Sequence, residues 1–429
     1  MRFGTIAIFL GGITLGGVLA AAVFFWLAGD GGEAPVAVKT ERPEWMAAPQ
    51  VAPAAKKKEE KPRALIVGVI GPETGPEAEY GLAVLTGIEM AAERFNAQGG
   101  LRGEKIKVIH HDDSGGSGQA MDIAEALIAK NVVAIFSAPT GWSTFAPTHL
   151  VNNARTVFIS IGTRRKIARS GEYIFHFALP DETAIDEMLG YAVEELGHGN
   201  FALITSSSYD YSLSIASVFK QAVPRRGGKI VLEADTYDSF SGKTDITKVA
   251  AALKAQQAGP DRVQAIIFTG GAQEAARLTQ SLATLAADGG PRLPLIGGED
   301  LFSPAFLEQG GPAVRGALVY ATFAPDHPSP LVADFVAAHK VRKNSVPDRF
   351  AALAYDAFGL LTQALTAAPS LRGGAVREAL VNLGEAEGVS GPGRWAANGT
   401  PIKQSHLYRV EDSQTGPRFA LVSTKARKQ

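Results

Sequence analysis

From residue 64 onward, short apolar runs alternate with longer stretches in which apolar residues recur every three or four positions. The first run, ALIVGVI at 64–70, predicts a buried strand, and the next stretch predicts a helix at about 80–96 that ends at a glycine stop, AQGG. Further strands are predicted at KIKVIHH, VVAIFS and TVFISI, with helices near 119–130 and 143–154 between them. This alternation is typical of parallel sheets with crossover helices.

A second series of the same kind follows YIFHFALPDE at 173–182. Its predicted strands are FALIT, KIVLEADTY, VQAIIFTGG, LPLIGGE and GALVYATF, and its predicted helices span about 183–197, 211–226, 243–257 and 272–288. Two such series in tandem predict an α/β fold with two doubly wound, Rossmann-like lobes. Ligands of open parallel sheets bind beyond the carboxyl ends of the strands, so the cleft between the lobes is the expected site.

The segment before this body has a different character. Residues 3–28 carry no charge, and an apolar run of that length can cross a bilayer core of about 30 Å as one helix. We predict a transmembrane anchor at 1–28; the alternative is a cleavable signal peptide, although its apolar region usually spans about 7–15 residues. Arg2 precedes the segment and Asp30 follows it, which predicts a periplasmic body. Residues 29–63 are rich in Pro, Ala and Lys and predict an extended linker.

Composition excludes several classes of function. The 42 basic and 43 acidic residues give a net charge of -1, so the sequence indicates no nucleic-acid partner. The chain has no cysteine, which excludes disulfides, thiolate zinc sites and a cysteine nucleophile.

The string HHDDSGGSG at 110–118 follows a predicted strand and could belong to a metal or phosphate site. Adjacent strand residues point to opposite faces, so the two histidines and two aspartates cannot all reach one ion. We expect instead that Asp112 or Asp113 caps the turn that follows. The chain lacks the patterns of nucleotide-binding loops and of a hydrolase elbow at this and other sites, so we predict no metal, no cofactor, no catalytic residue and no enzymatic activity.

Two residues directly after predicted strands are candidates for the cleft. Trp142, in SAPTGWSTFAP, would begin a helix and could either form a wall for a ligand or pack in the core. Glu299, in LIGGEDLF, could either face the cleft or cap a turn.

Taken together, six segments resemble the branched-chain amino acid (leucine/isoleucine/valine) binding family of type I periplasmic binding proteins, the substrate-binding proteins of ABC transporters. The segments are VGVIGPETGPEAEYG, GIEMAAERFNAQGGLRGEKIKVIHHDD, EYIFHFALPDE, GPDRVQAIIFTGG, FAALAYDAFGLLTQAL and GVSGPGRWAANGTPIKQSHLYRVED. The resemblance spans about residues 64–412 and implies a Venus-flytrap receptor with three hinge strands. The implied hinges lie near 178–182, 321–326 and 394–398, so that lobe 1 comprises 64–180 and 322–395, and lobe 2 comprises 181–321 and 396–429.

The resemblance also implies a set of ligand-binding residues in the cleft. They are Tyr80, Gly141, Trp142, Ser143, Ile161, Gly162, Thr163, Tyr209, Tyr211, Thr269 and Glu299. The chain departs from the family where a pocket serine would stand, at Gly141, and where Ile161 enters a hydroxyl-rich loop. These departures leave fewer hydrogen-bond donors for a ligand carboxylate, and burying a carboxylate without its full set of donors costs on the order of several kcal/mol. We therefore expect a larger or more apolar ligand, such as an amide, an aromatic acid or a lipid-like molecule, with a branched-chain or other amino acid as the alternative.

The implied partners are this small molecule and the membrane components of an ABC permease, with the receptor a monomer held at the inner membrane by its N-terminal helix. A sensory or scaffold receptor with the same fold is the alternative. The sequence leaves open whether the basic run at 164–166 contacts an anionic ligand group or only water.

Overall fold

A computed structural model describes residues 64–163, 167–207, 210–238, 243–287 and 292–422. The predicted anchor, the predicted linker, Tyr209 and the basic run at 164–166 lie outside the described residues. Within these ranges, no helix combines the length and the apolar character needed to span a bilayer.

The strands form two large sheets and two short hairpins. In chain order they are β1 (Ala64–Ile70), β2 (Lys107–His111), β3 (Val132–Ser137), β4 (Val157–Ile161), β5 (Ile174–Phe177), β6 (Asn200–Thr205), β7 (Lys229–Asp235), β8 (Tyr237–Asp238), β9 (Lys243–Thr244), β10 (Ala265–Phe268), β11 (Leu295–Gly297), β12 (Leu318–Ala321), β13 (Gly393–Trp395), β14 (Pro401–Lys403), β15 (His406–Ser413) and β16 (Gly416–Leu421). The first sheet has the order β2-β1-β3-β4-β5, and all its described pairs are parallel. The second has the order β16-β15-β12-β11-β10-β6-β7.

The helices cover both faces of the sheets. They are α1 (Ala78–Ala97), α2 (Ser117–Ala129), α3 (Trp142–Phe145), α4 (Thr148–Asn153), α5 (Asp181–Glu194), α6 (Asp210–Arg225), α7 (Ile246–Gln257), α8 (Ala272–Ala287), α9 (Pro304–Gly310), α10 (Pro330–Lys343), α11 (Arg349–Ala367) and α12 (Gly373–Asn382). The alternating elements confirm the prediction of two α/β lobes. The predicted helix at 143–154 is instead two short helices, because Pro147 lies between them and has no amide hydrogen to continue the first.

The second sheet is mixed rather than purely parallel. Strands β6, β7, β10, β11 and β12 pair in parallel, whereas β15 pairs antiparallel with β12, and β16 pairs antiparallel with β15. The end of the chain therefore completes the second lobe by adding a hairpin at one edge of its sheet.

Close packing of α1 against α11 positions one wall of the first lobe. A β-carbon on Gly87 in α1 would lie 2.2 Å from the Ala351 carbonyl oxygen in α11, so this approach requires glycine. Further along α11, the ring of Phe358 stacks on the ring of Phe136 in β3, with the two ring centroids 6.0 Å apart. The amino ends of α1 and α11 are thereby held side by side, and the rings of Tyr80 and Phe350 meet there.

The chain passes between the two sheets at three points. The segments that join the lobes are 178–180, after β5, 322–329, after β12, and 404–405, after β14. The β13–β14 hairpin belongs with the first lobe, because Trp395 packs on Phe175 and Phe177 of β5 at 5.6 and 5.2 Å. The boundary predicted at 395 would cut this hairpin, so we propose that the third crossing lies at 404–405.

Two histidines beside these crossings make stability depend on pH. Burial lowers the pKa of His176 and of His406 to about 4, and one ring nitrogen of each has no hydrogen-bond partner among the described residues. The folded chain therefore keeps both rings neutral, while the unfolded chain takes up protons near pH 6.5. Stability is retained above pH 6.5 and is lost as the pH falls from 6.5 toward 4.

We expect the free energy of unfolding to fall by about 2 kcal/mol for each histidine when the pH is lowered from 7 to 5. Urea denaturation at the two pH values measures this loss. The H176N/H406N variant should have a flatter pH profile than the wild-type chain. An equally steep profile in the variant would show that other groups cause the loss.

Candidate functional site

A cavity of about 810 Å³ lies where loops from the carboxyl ends of both sheets meet. The first lobe contributes Tyr80, Pro139, Gly141, Phe145, Gly162, Thr163, Arg349 and Phe350, and the second contributes Asp181, Glu182, Tyr211, Ser214, Ser217, Val218, Gln221 and Asp300. This location agrees with the cleft predicted from the alternating pattern. The walls mix aromatic rings, hydroxyl groups and charged groups, as in small-molecule sites.

The wall from the first lobe is an aromatic cluster. The rings of Tyr80 and Phe350 meet edge to face at 5.1 Å, and the Arg349 guanidinium lies over the Phe350 ring at 4.8 Å. Burial raises the pKa of Tyr80, as does the nearby Glu79, whereas Arg349 opposes this shift. The Tyr80 hydroxyl is therefore neutral and available as both donor and acceptor at physiological pH.

The wall from the second lobe is organised around Asp181, the first residue of α5. Its Oδ1 atom accepts hydrogen bonds from the hydroxyls of Tyr211, at 2.7 Å, and Tyr320, at 3.0 Å. A carboxylate in the first turn of a helix is also favoured by the helix dipole. These contacts fix the orientation of the Tyr211 ring beside the cavity.

Glu299 and Asp300 bring acidic groups of the second lobe close to Arg349 of the first. Glu299 is buried, and its carboxylate accepts hydrogen bonds from the Thr322 amide at 2.6 Å and the Thr322 hydroxyl at 2.9 Å. Glu299 Oε2 lies 3.7 Å from Arg349 Nε, and Asp300 Oδ1 lies 3.7 Å from Arg349 Nη2. Because Thr322 belongs to the second crossing, Glu299 links the cavity to a segment that joins the lobes.

The structure brings five of the predicted residues to the cavity wall. These are Tyr80, Gly141, Gly162, Thr163 and Tyr211. Ser143 and Thr269 are buried and do not line this cavity; Ser143 hydrogen-bonds with Thr140, and Thr269 with Ser212. Glu299 acts through Arg349 and Thr322, as described above. The roles of these residues in ligand binding stay predictions.

Ile161 and Trp142, also predicted for this region, do not line this cavity. Ile161 is fully buried among the core residues of the first lobe, so its side chain does not reach the cavity. The reason is that β4 is a central strand with both faces covered. Trp142 is 77% exposed, which excludes the core-packing alternative; its ring lies 6.4 Å from that of Phe145.

The HHDD string forms a strand end and a capped turn, as expected. Asp112 Oδ1 accepts hydrogen bonds from the amides of Ser114, at 2.8 Å, and Glu73, at 2.9 Å. Burial raises the pKa of Asp113, although the Gly115 amide hydrogen-bonds its carboxylate. Among the residues that the structure describes, no group of three or more potential metal-binding side chains is close enough to hold an ion.

Arg349 and Phe350 are the main cavity residues that the sequence reasoning missed. The sequence does carry a weak signal for their position. Asp348 precedes an apolar periodic stretch, and its side chain caps α11 by accepting the Ala351 amide at 2.9 Å. This signal predicts where the helix begins, but it does not predict that its first two side chains face a cleft.

Comparison with known proteins agrees with this architecture. A family model described as periplasmic binding protein matches residues 65–416. The chain is similar to Leu/Ile/Val-binding protein homolog 3 of Brucella melitensis, with 27% identity over 71% of this chain and 80% of that protein. It is also similar to Leu/Ile/Val-binding protein homolog 1 of Brucella suis, with 26% identity over 82% of this chain and 92% of that protein.

A solved structure from Rhodospirillum rubrum, described as a branched-chain amino acid ABC transporter protein, superposes with a TM-score of 0.74. The two chains are 25% identical, and the match covers 84% of this chain and all of that one (100%). A binding protein from Streptococcus pneumoniae in complex with isoleucine superposes with a TM-score of 0.62 at 24% identity, covering 83% of this chain and 99% of that one, which indicates a shared fold.

Proposed function

The chain belongs to the periplasmic binding protein family, and we propose that it captures one small molecule between its lobes and delivers it to an ABC-type permease. The observation that carries this proposal is the cavity itself, which is lined by side chains from both lobes. A ligand that contacts both walls binds the closed form more tightly than the open form. Such differential binding is what shifts a hinged receptor toward closure. Binding and release are the proposed activity, with no chemical step.

We further propose that the ligand is larger than a single amino acid and has an aromatic or otherwise apolar body. The cavity volume of about 810 Å³ lies in the upper part of the range of roughly 300–1,000 Å³ that accommodates drug-sized ligands. The rings of Tyr80, Phe350 and Tyr211 offer faces and edges against which an apolar body can pack. A branched-chain amino acid is the second candidate, favoured by the names of the relatives from Brucella, which are Leu/Ile/Val-binding protein homologs.

The membrane tether at 1–28 and the monomeric state remain parts of this proposal. The family implies an extracytoplasmic receptor, and a tether would keep it close to its permease. Protease accessibility in spheroplasts and retention of the chain in washed membranes would test the tether. Release into the periplasmic fraction would favour a cleaved signal peptide.

A thermal-shift screen followed by isothermal titration calorimetry tests the proposed function. The full-length chain, with detergent present throughout, would be screened against amino acids, amides, aromatic acids and fatty acids. A ligand that binds only the folded state raises the free energy of unfolding by about 2.7 kcal/mol at a hundredfold excess over Kd. We expect aromatic or apolar solutes to produce the largest shift. A shift with leucine, isoleucine or valine alone would favour the second candidate, and no shift with any solute would contradict a transport receptor.

A further inference from the structure

Arg349 presents a positive charge to the cavity and makes no hydrogen bond to another described residue. Its side chain is 30% exposed, and its two acidic neighbours, Glu299 and Asp300, each lie 3.7 Å away, beyond hydrogen-bonding distance. Among the described residues, no acceptor takes a hydrogen bond from its guanidinium. Arg342, by contrast, donates hydrogen bonds to Glu89 and Glu93, at 2.9 Å to Glu93 Oε1.

The position of Arg349 is also unfavourable for the helix that carries it. Arg349 is the first residue of α11, directly after the Asp348 cap. The amino end of a helix carries a partial positive charge, so a cation there is repelled by the helix dipole. Helix stability therefore does not account for an arginine at this position. Its planar side chain is instead held in place by the Phe350 ring, 4.8 Å away, which limits the rotamer freedom that binding would cost.

We propose that Arg349 binds a carboxylate of the ligand; this inference rests on the proposed function and narrows its ligand class to carboxylic acids. A guanidinium offers parallel N–H donors whose spacing matches the two oxygens of a carboxylate. The Phe350 and Tyr80 rings beside it then receive the apolar body of the acid. Glu299 and Asp300 together carry two negative charges against the one positive charge of Arg349, so the ligand carboxylate competes with existing ion pairs and the contribution of this contact is moderate.

Matched pairs of acids and amides test the inference directly. Calorimetry on the full-length chain would compare leucine with leucinamide, 4-hydroxybenzoate with 4-hydroxybenzamide, and octanoate with octanamide. We expect one acid to bind at least tenfold more tightly than its amide. In the R349Q variant, affinity for that acid should fall by about 30-fold, while affinity for the amide stays within threefold, because only the charged contact is lost. The affinity of R349K for that acid should lie between the affinities of the wild-type chain and of R349Q, because lysine keeps the charge but lacks the paired donors.

The R342Q variant is the control, because Arg342 lies on the surface, between Glu89 and Glu93, and does not line the cavity. Its affinities should stay within twofold of wild type. Equal binding of acid and amide by the wild-type chain, or unchanged acid binding by R349Q, would overturn the role of Arg349 and leave the proposed function intact. Loss of both acid and amide binding in R349Q would assign Arg349 a structural role. Failure of the wild-type chain to bind any of the three acids, while the thermal-shift screen finds an uncharged ligand, would overturn the inference and leave the proposed function intact; no binding in either experiment would contradict both.

Discussion

Replacing Asp356 by alanine is expected to lower the free energy of unfolding by about 3–5 kcal/mol, the usual result of breaking a buried charged network. Asp356 is buried in α11 and accepts hydrogen bonds from the amides of Val389, at 2.7 Å, and Ser390, at 2.8 Å. The Ser390 hydroxyl also donates to Asp356 and accepts from Lys403 Nζ at 3.0 Å. The variant leaves two buried amides without an acceptor and Lys403 without a counter-charge. Urea denaturation at pH 7 measures the loss.

The pH dependence of the D356A variant distinguishes the cost of the unpaired Lys403 charge from the cost of the lost hydrogen bonds. Burial lowers the pKa of Lys403 to about 8 from its usual 10.5, and Asp356 opposes that shift. Without Asp356, the folded chain favours neutral Lys403 still more strongly, while the unfolded chain keeps the proton up to about pH 10. Because the unfolded chain then binds more protons, stability rises with pH, and the deficit of D356A should shrink between pH 7 and pH 10.

Two further variants serve as controls for Asp356. The double variant D356A/K403M should be more stable than D356A, because it removes the unpaired lysine. Asp334→Ala, at an exposed site on α10, should change stability by no more than about 0.5 kcal/mol. If D356A/K403M lost more stability than D356A, the buried lysine would not be the source of the cost.

Replacing Gly162 by valine is expected to weaken binding of the ligand identified by the screen at least 100-fold. A β-carbon at this position would lie 2.6 Å from two ring carbons of Phe350, so the ring must move. Phe350 supports both Tyr80 and Arg349, and its displacement disturbs the whole wall of the first lobe. The backbone at Gly162 has φ of +70°, a conformation that costs a β-branched residue further strain. Isothermal titration calorimetry of G162V and of the wild-type chain with that ligand measures the loss of affinity.

Gly197 provides a control that is matched in backbone conformation. Its φ is +72°, and a β-carbon there would meet no atom within 4 Å. G197V therefore carries similar backbone strain without disturbing the cavity, and should bind ligand within threefold of wild type. Equal losses of affinity in G162V and G197V would mean that backbone strain, rather than the Phe350 ring, is responsible.

The parts of the fold that follow from local pattern could be predicted from the sequence. The alternation of apolar runs and amphipathic stretches located β1–β4 of the first sheet and the parallel strands of the second, because side-chain periodicity reports directly which faces are buried, but it did not predict β15 and β16. The turn at Asp112 was also predictable, since an aspartate can accept the amide two residues onward without any distant partner. The cleft followed from the rule that parallel strands present their carboxyl ends at one edge.

The family resemblance predicted individual site residues, which the hydrophobic pattern alone did not, and only some of these residues line the cavity. It led to Tyr80, Gly162 and Tyr211 at the cavity wall. It also led to Ile161, whose position beside Gly162 in the chain gives no indication that its side chain points into the core. In a strand with both faces covered, alternation no longer distinguishes a residue that faces a ligand from one that faces a helix.

The sequence by itself determined the two α/β series, the cleft between them and the family to which the chain belongs. Only the tertiary structure decided that Arg349 faces Glu299, which lies 50 residues earlier, and that the hairpin ending at Lys403 joins the first lobe. The physical reason is that these contacts depend on how whole elements approach one another. Local periodicity fixes which face of an element is buried, but the charge that it meets across the cleft is set by the packing of distant segments.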